Sequence, residues 1–238
     1  MFPIRDTLPS RSTPIVTYLL IGLNAVVFWF QISLPERALE AVMFRYGLVP
    51  ASFFHPYPGT SLAALLVPWI THMFLHGGWL HLIGNMWTLW IFGDNVEDRM
   101  GKLNFLIFYL LCGLAAATTQ AFLHPAARVP MVGASGAISG VMGAYLILCR
   151  GSWIVLMIPI FFWPFFFAIP AALYLVYWFF LQWIAGTVSL AAGSAGGVAW
   201  WAHIGGFLFG VLFHPFFAGR RRRGHYPRNY CWLCTKNT

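Results

Sequence analysis

The chain has 238 residues, of which 60% are hydrophobic and only 8% charged, with a mean hydropathy of +0.72. Soluble domains carry about a quarter charged residues, so this composition excludes a water-solvated globule, and with it disordered, collagen-like, coiled-coil and secreted disulfide-rich classes. The formal charge of +8 does not point to nucleic acid, because the basic residues are scattered between apolar blocks except for the run Arg220 to Arg223, which reads as a topology anchor.

A membrane-spanning helix needs roughly 20 mainly apolar residues, since lipid offers no partner to an open backbone amide. Residues 1–14 are polar, contain Pro3, Pro9 and Pro14, and form a short segment before the first such run. That run, Ile15 to Ser33, is followed by no small-residue cleavage pattern and reads as an uncleaved anchor. Residues 34–78 mix aromatic and charged side chains in the one long connection, expected to be a partly inserted cap on the outer side. Three further spans are predicted at Trp79 to Asn95, Leu103 to Leu123 and Ala134 to Cys149, the last of them short.

The next stretch, Trp153 to Ala185, is almost continuously apolar, and two crossings there would reverse the end of the chain. Pro159, Pro164 and Pro170 are too dense for a helix near its start, so Trp153 to Trp163 is expected to be a membrane-hugging hairpin or interfacial strand. The fifth span is then Phe167 to Ala185, the sixth Ala199 to Phe217, and residues 218–238 are a basic tail. With both termini inside, Arg5, Arg11, Arg99, Lys102, Arg150, Arg220 to Arg223, Arg228 and Lys236 are cytoplasmic, against Arg37, Arg45 and Arg128 outside. The predicted fold is an all-α polytopic membrane protein, a six-helix bundle over residues 15–217 with both termini cytoplasmic. Its immediate partner is the lipid bilayer.

Polar side chains inside spans are expensive and mark functional sites by default. His81 and Asn85 lie four residues apart on one face of the second span. The fourth opens on Gly133-Ala134-Ser135-Gly136, and the sixth carries His203 in Ala202-His203-Ile204-Gly205-Gly206. The even-numbered spans run inward in this topology, so these residues share one depth near the outer face. Gly136 with Gly140, and Gly206 with Gly210, are small pairs at four-residue spacing that let backbones approach closely. On the sixth helix His203 shares that face, and Ser135 with Ser139 aligns on the fourth. Across such a contact a hydroxyl reaches an imidazole.

Ser beside His is a nucleophile and its general base. A triad needs a carboxylate next to the histidine, but Asp6, Asp94, Glu97 and Asp98 fall at the inner face and Glu36 and Glu40 in the outer loop. The expected arrangement is therefore a Ser135 and His203 dyad, with His203 oriented by packing and backbone contacts. An oxyanion needs ready donors. The Ser135 backbone amide lies in the first turn of its helix, His81 and Asn85 supply others, and Gly133 admits a substrate backbone. No cofactor or metal is called for: His72 and His76 lack an evident third ligand and read as loop structure. Cys112 and Cys149 read as core, and Cys231 with Cys234 as an unstructured tail pair.

These residues also resemble the rhomboid intramembrane serine proteases in order, spacing and span, through Gly133 to Gly136, His81 with Asn85, Ala202 to Gly206, and Gly93-Asp94-Asn95-Val96-Glu97-Asp98. The similarity covers approximately Ile15 to Phe217. It implies a six-helix core, a Ser135 and His203 dyad, and a water-filled pocket open to the outer side. It also implies cleavage of other proteins' transmembrane segments, and makes Glu97 and Arg99 structural. Ser139 stands where some members carry a tyrosine packed against the catalytic histidine, and the outer loop lacks the Trp-Arg pair of some bacterial members. A catalytically silent membrane chaperone or quality-control adaptor is the alternative on the same fold. A proton relay through the His and Asn residues is a third reading, weakened by the lack of a mid-membrane carboxylate. A bacterial plasma membrane is the expected setting.

Overall fold

The computed structural model describes residues 2–160, 163–192 and 197–219. In chain order, strand β1 (Phe2–Asp6) precedes helix α1 (Ile15–Ser33), and the long connection folds into four short helices, α2 (Glu36–Tyr46), α3 (Pro50–Phe54), α4 (Leu62–Leu66) and α5 (Pro68–Thr71). A single 3-10 turn, His72–Phe74, leads into α6 (Trp79–Met100), α7 (Lys102–Leu123) and α8 (Ser135–Leu148). Strands β2 (Trp153–Ile160) and β3 (Trp163–Pro170) are followed by α9 (Ala171–Ala191) and α10 (Trp200–Phe217). The architecture is mostly helical. By length and composition α1, α7 and α9 are apolar enough to cross a membrane, and α8 is a shorter apolar helix.

The core forms around α8, whose residues from Gly136 to Tyr145 are all buried. Glycines decide how closely its neighbour comes. A side chain at Gly206 or Gly210 of α10 would strike the carbonyl oxygen of Gly136 or Gly140 on α8. The two backbones therefore touch where bulkier residues would hold them apart. Beside that contact α7 presents Ala116 and Cys112 to the same two glycines of α8. The helix-packing roles expected of Gly136, Gly140, Gly206 and Gly210 correspond to this contact.

Polar groups on α6 fix the start of the chain. The Glu97 carboxylate accepts the Val16 and Thr17 amides at 3.0 and 2.8 Å and the Thr17 hydroxyl at 2.8 Å. It thus caps the first turn of α1, where amides lack intrahelical acceptors and negative charge is favoured. At the other end of α1, Gln31 makes a two-point bond with the His76 backbone, donating to its carbonyl and accepting from its amide, each at 3.0 Å.

The all-α expectation needs one correction. A three-stranded antiparallel sheet of order β1-β2-β3 packs beside the bundle, with Asp6 opposite Ile154 and Trp153 opposite Pro170. The expected hairpin region thus becomes β2 and continues into β3, because Pro159, Pro164 and Pro170 deny helical hydrogen bonds while the β-branched and aromatic residues between them suit strands. The other edge of β2 takes β1, a pairing that bridges some 150 residues of chain and has no local signal. The fifth helix accordingly starts at Ala171 rather than Phe167, with Pro170 at its N-cap, and runs on past Ala185 to Ala191. The second extends beyond Asn95 to Met100. The tail residues Arg220 to Arg223, Cys231 and Cys234 lie outside the described residues.

Asp6 anchors this sheet to the bundle. Its carboxyl meets the Asn95 side-chain amide at 2.8 Å and the Tyr145 hydroxyl, and burial pushes it up to about 7. A raised carboxyl favours the folded state while it is protonated, so its contribution is complete below the ordinary carboxylate range and is lost as pH rises through about 7. Clipping of residues 2–6 by an added protease is expected to accelerate from about pH 5 to about pH 7 and to level off above, after correction for the protease's own pH dependence. Asp6→Asn is expected to flatten that rise, and an unchanged slope in the variant would assign it elsewhere.

Candidate active site

Three helices and one loop converge on Ser135. It is the first residue of α8, with Ala134 at the N-cap and no side chain capping the turn, so the leading amides are left for another acceptor. The approach to this turn is held from outside the bundle. Leu48 and Met131 exchange backbone hydrogen bonds at 3.0 and 2.8 Å, and the Gly133 amide donates to the His72 carbonyl at 2.8 Å. Gly133 sits at φ +120, a conformation that side chains disfavour. A Cβ there would lie 2.6 Å from His81 Nε2, so glycine is required twice over.

Ser135 Oγ stands 2.8 Å from His203 Nε2. For the hydroxyl to donate, Nε2 must be the bare nitrogen, which puts the ring proton on Nδ1. Nδ1 in turn lies 2.8 Å from the side-chain oxygen of Gln182 on α9. This corrects the expectation that only packing and backbone contacts orient His203: the structure brings Ser135, His203 and Gln182 into one line. The rings of Trp178 and Trp200 flank the imidazole at centroid distances of 6.0 and 6.2 Å. Ser139 does not take part, since its hydroxyl bonds back to the Ser135 carbonyl at 2.6 Å.

Facing the serine from α6 are the other two polar residues. The Gly77 amide donates to His81 Nδ1 at 3.3 Å, which leaves the proton on Nε2, the atom turned toward Gly133. Asn85 is buried, and its side-chain nitrogen finds no hydrogen-bond partner among the described residues. A buried amide donor without an acceptor is costly, and here it lies 3.5 Å from the position a Gly133 side chain would take. Ser135, His203, His81, Asn85 and Gly133 all line one cavity of about 610 Å³. His72, which also lines the cavity, and His76 are pushed down to about 4 by burial, His76 additionally by its neighbour His81. Both rings are thus neutral at physiological pH. The His72 carbonyl accepts the Gly133 amide, and among the described residues no group of three or more His, Cys, Asp or Glu gathers as a metal-binding set.

The sequence reading missed Gln182. A signal was present, since it is a side-chain amide embedded in Tyr177-Trp178-Phe179-Phe180-Leu181-Gln182-Trp183, and strongly polar groups in apolar spans are functional candidates by default. An uncharged amide stands where a triad has its carboxylate, so no acidic residue marks the position.

A family model described as a rhomboid domain matches residues 64–220. Among curated relatives, the chain is 29% identical over 209 residues to "Rhomboid protein 1, mitochondrial" of Saccharomyces cerevisiae, a match that covers 83% of this chain and 52% of that protein. It is 39% identical over 138 residues to "Rhomboid protease GluP" of Bacillus subtilis, covering 58% and 25% respectively. To "Presenilin-associated rhomboid-like protein, mitochondrial" of Mus musculus it is 26% identical over 203 residues, covering 82% and 46%. The matches thus span between a quarter and about half of these relatives' lengths.

Proposed function

The chain belongs to the rhomboid family and is an integral membrane protein, and we propose that it is an intramembrane serine endopeptidase that hydrolyses peptide bonds in or near transmembrane segments of other membrane proteins. The observation that carries this reading is the 2.8 Å contact between Ser135 Oγ and His203 Nε2 in a cavity that also holds an unsatisfied amide donor. His203 takes the hydroxyl proton as Ser135 attacks the scissile carbonyl, and returns it to the leaving amine. The resulting acyl-enzyme is hydrolysed by water, with His203 acting again as base. The Ser135 amide, His81 Nε2–H and the Asn85 side chain stabilise the oxyanion, and Gly133 gives the substrate backbone room. No cofactor enters this chemistry.

The bilayer setting is part of the same proposal. The six long helices α1, α6, α7, α8, α9 and α10 are read as spans, with residues 1–14 and 218–238 cytoplasmic and residues 34–78 outside. Helix α8, with 14 residues, is about 21 Å long, short of the roughly 30 Å hydrocarbon core. In this reading the shortfall is taken at its N-terminus, so that Ser135 lies below the outer surface, which suits a site opening outward onto transmembrane substrates. A bacterial plasma membrane is supported by the Bacillus subtilis relative. The relatives named mitochondrial make fractionation in the source organism the test of that setting.

Fluorophosphonate labelling of the purified full chain tests the chemistry. Modification is expected at Ser135 alone and is expected to vanish in Ser135→Ala and His203→Ala. A folded wild type that neither labels nor cleaves any membrane-segment reporter would instead favour a silent rhomboid-like chaperone or adaptor.

A further inference from the structure

We propose that Gln182 is a positioning residue of the catalytic relay, a neutral third member that holds His203 in the one tautomer able to accept the Ser135 proton. This rests on the protease reading of the site. The geometry is a continuous line: Ser135 Oγ to His203 Nε2 at 2.8 Å, and His203 Nδ1 to the Gln182 side-chain oxygen at 2.8 Å. Gln182 is 7% exposed and His203 9%, so water does not readily replace either partner.

The two orientations of the amide are not equivalent. With its oxygen toward Nδ1, the amide accepts the Nδ1 proton and leaves Nε2 bare to receive the proton of the serine. With its nitrogen toward Nδ1, it would donate instead, the ring proton would move to Nε2, and Ser135 would face a donor. The same reversal explains why an amide in place of a triad carboxylate is harmful in serine proteases, where it selects the wrong tautomer. During attack the Oγ–H bond breaks and its proton joins Nε2, an Oγ lone pair forms the bond to the scissile carbon, and the carbonyl π pair moves onto its oxygen as the oxyanion. The imidazolium then keeps its Nδ1 proton and points it at the Gln182 oxygen, which stabilises the positive charge without taking the proton.

An amide suits this place because it accepts the Nδ1 proton without adding a charge beside the rings of Trp178 and Trp200 that flank His203. The position of Gln182 follows from aromatic packing. Trp178 and Phe179 lie against Phe207 at 6.0 and 4.9 Å, Trp183 lies against Trp201 at 5.9 Å, and the Trp201 indole donates to the Gly186 carbonyl at 3.2 Å. These contacts hold one face of α9 on α10, and Gln182 is on that face. Its neighbours Tyr177 and Phe180, 59% and 58% exposed, point away from the bundle.

The test uses the full chain in proteoliposomes with a membrane-segment reporter, measuring kcat and KM from about pH 5 to 9. Gln182→Leu keeps the volume and removes the acceptor. Its kcat is expected to fall about 10- to 100-fold, the range for losing a hydrogen bond to a charged group, with KM little changed and fluorophosphonate labelling slowed by the same factor. Gln182→Glu is expected to recover much of the rate and to move the acidic limb of the profile to higher pH, because a carboxylate stabilises the imidazolium. Two results overturn the proposal while leaving the protease reading intact. One is wild-type kcat in Gln182→Leu while Ser135→Ala is silent. The other is loss in Gln182→Leu that merely tracks its folded fraction, with an unmoved acidic limb in Gln182→Glu. A folded wild type that neither labels nor cleaves removes the protease reading and this role with it.

Discussion

Replacing His203 with alanine is expected to lower kcat for a membrane-segment substrate by about 10⁴-fold or more, equivalent to roughly 5.5 kcal/mol of transition-state stabilisation. The reason is that, among the described residues, the base hydrogen-bonded to the Ser135 hydroxyl is His203 Nε2 at 2.8 Å, and an unassisted hydroxyl is a poor nucleophile at neutral pH. Ser135→Ala is expected to cost about as much, and the double variant little more, because nucleophile and base act as a unit. Asn85→Ala is expected to behave differently. It leaves the dyad intact and removes one oxyanion donor, so kcat should fall about 10²- to 10³-fold while labelling at Ser135 persists. Steady-state kinetics in proteoliposomes checks all four variants, with a melting curve of each to show that the fold survives. Additive losses for Ser135→Ala and His203→Ala would show that the two do not work together.

The second large effect concerns stability. Gly210→Leu is expected to destabilise the bundle by about 3 kcal/mol or more, at the upper end for overpacking, because its side chain would strike the backbone of Gly140. No flexible side chain is there to yield, so α8 and α10 must separate. Separation also carries His203 away from Ser135, since His203 is on the same face of α10 two turns away, and the labelling rate should fall together with the melting temperature. Gly22→Ala is the matching control. A side chain there meets nothing within 4 Å, and alanine is the better helix former. A Gly210→Leu protein that melts and labels like wild type would mean that the close contact of α8 and α10 does not support the site.

How much of this was legible beforehand depends on how far apart the interacting residues lie in the chain and on what carries the signal. The helix at Ile15–Ser33 was readable to the residue because an uninterrupted apolar run needs no partner to declare itself. Ser135, His203, His81 and Asn85 were readable because each is a polar group in an apolar block with glycine beside it or on its helix face, and the cavity gathers all four. Gln182 is equally polar, but its meaning lies in which way α9 is turned against α10, and an aromatic helix that is apolar all round has no periodic stripe to show its inner face. Asp6 was read as an ordinary inner-face acid, although the Asn95 and Tyr145 side chains take it into the interior.

The sequence by itself determined that this chain lives in a membrane, where its apolar blocks lie, which small residues allow close contact and which few polar groups need a purpose. These are properties of composition and local period, fixed by the cost of unpaired polar groups in lipid. Only the tertiary structure decided that β1 completes a sheet with β2 and β3, that Glu97 caps α1, and that Gln182 stands behind His203. Each of these joins groups some twenty residues apart or more, through hydrogen bonds whose geometry depends on the relative rotation and depth of whole elements. That information resides in the packing of one helix on another, and no window of sequence contains it.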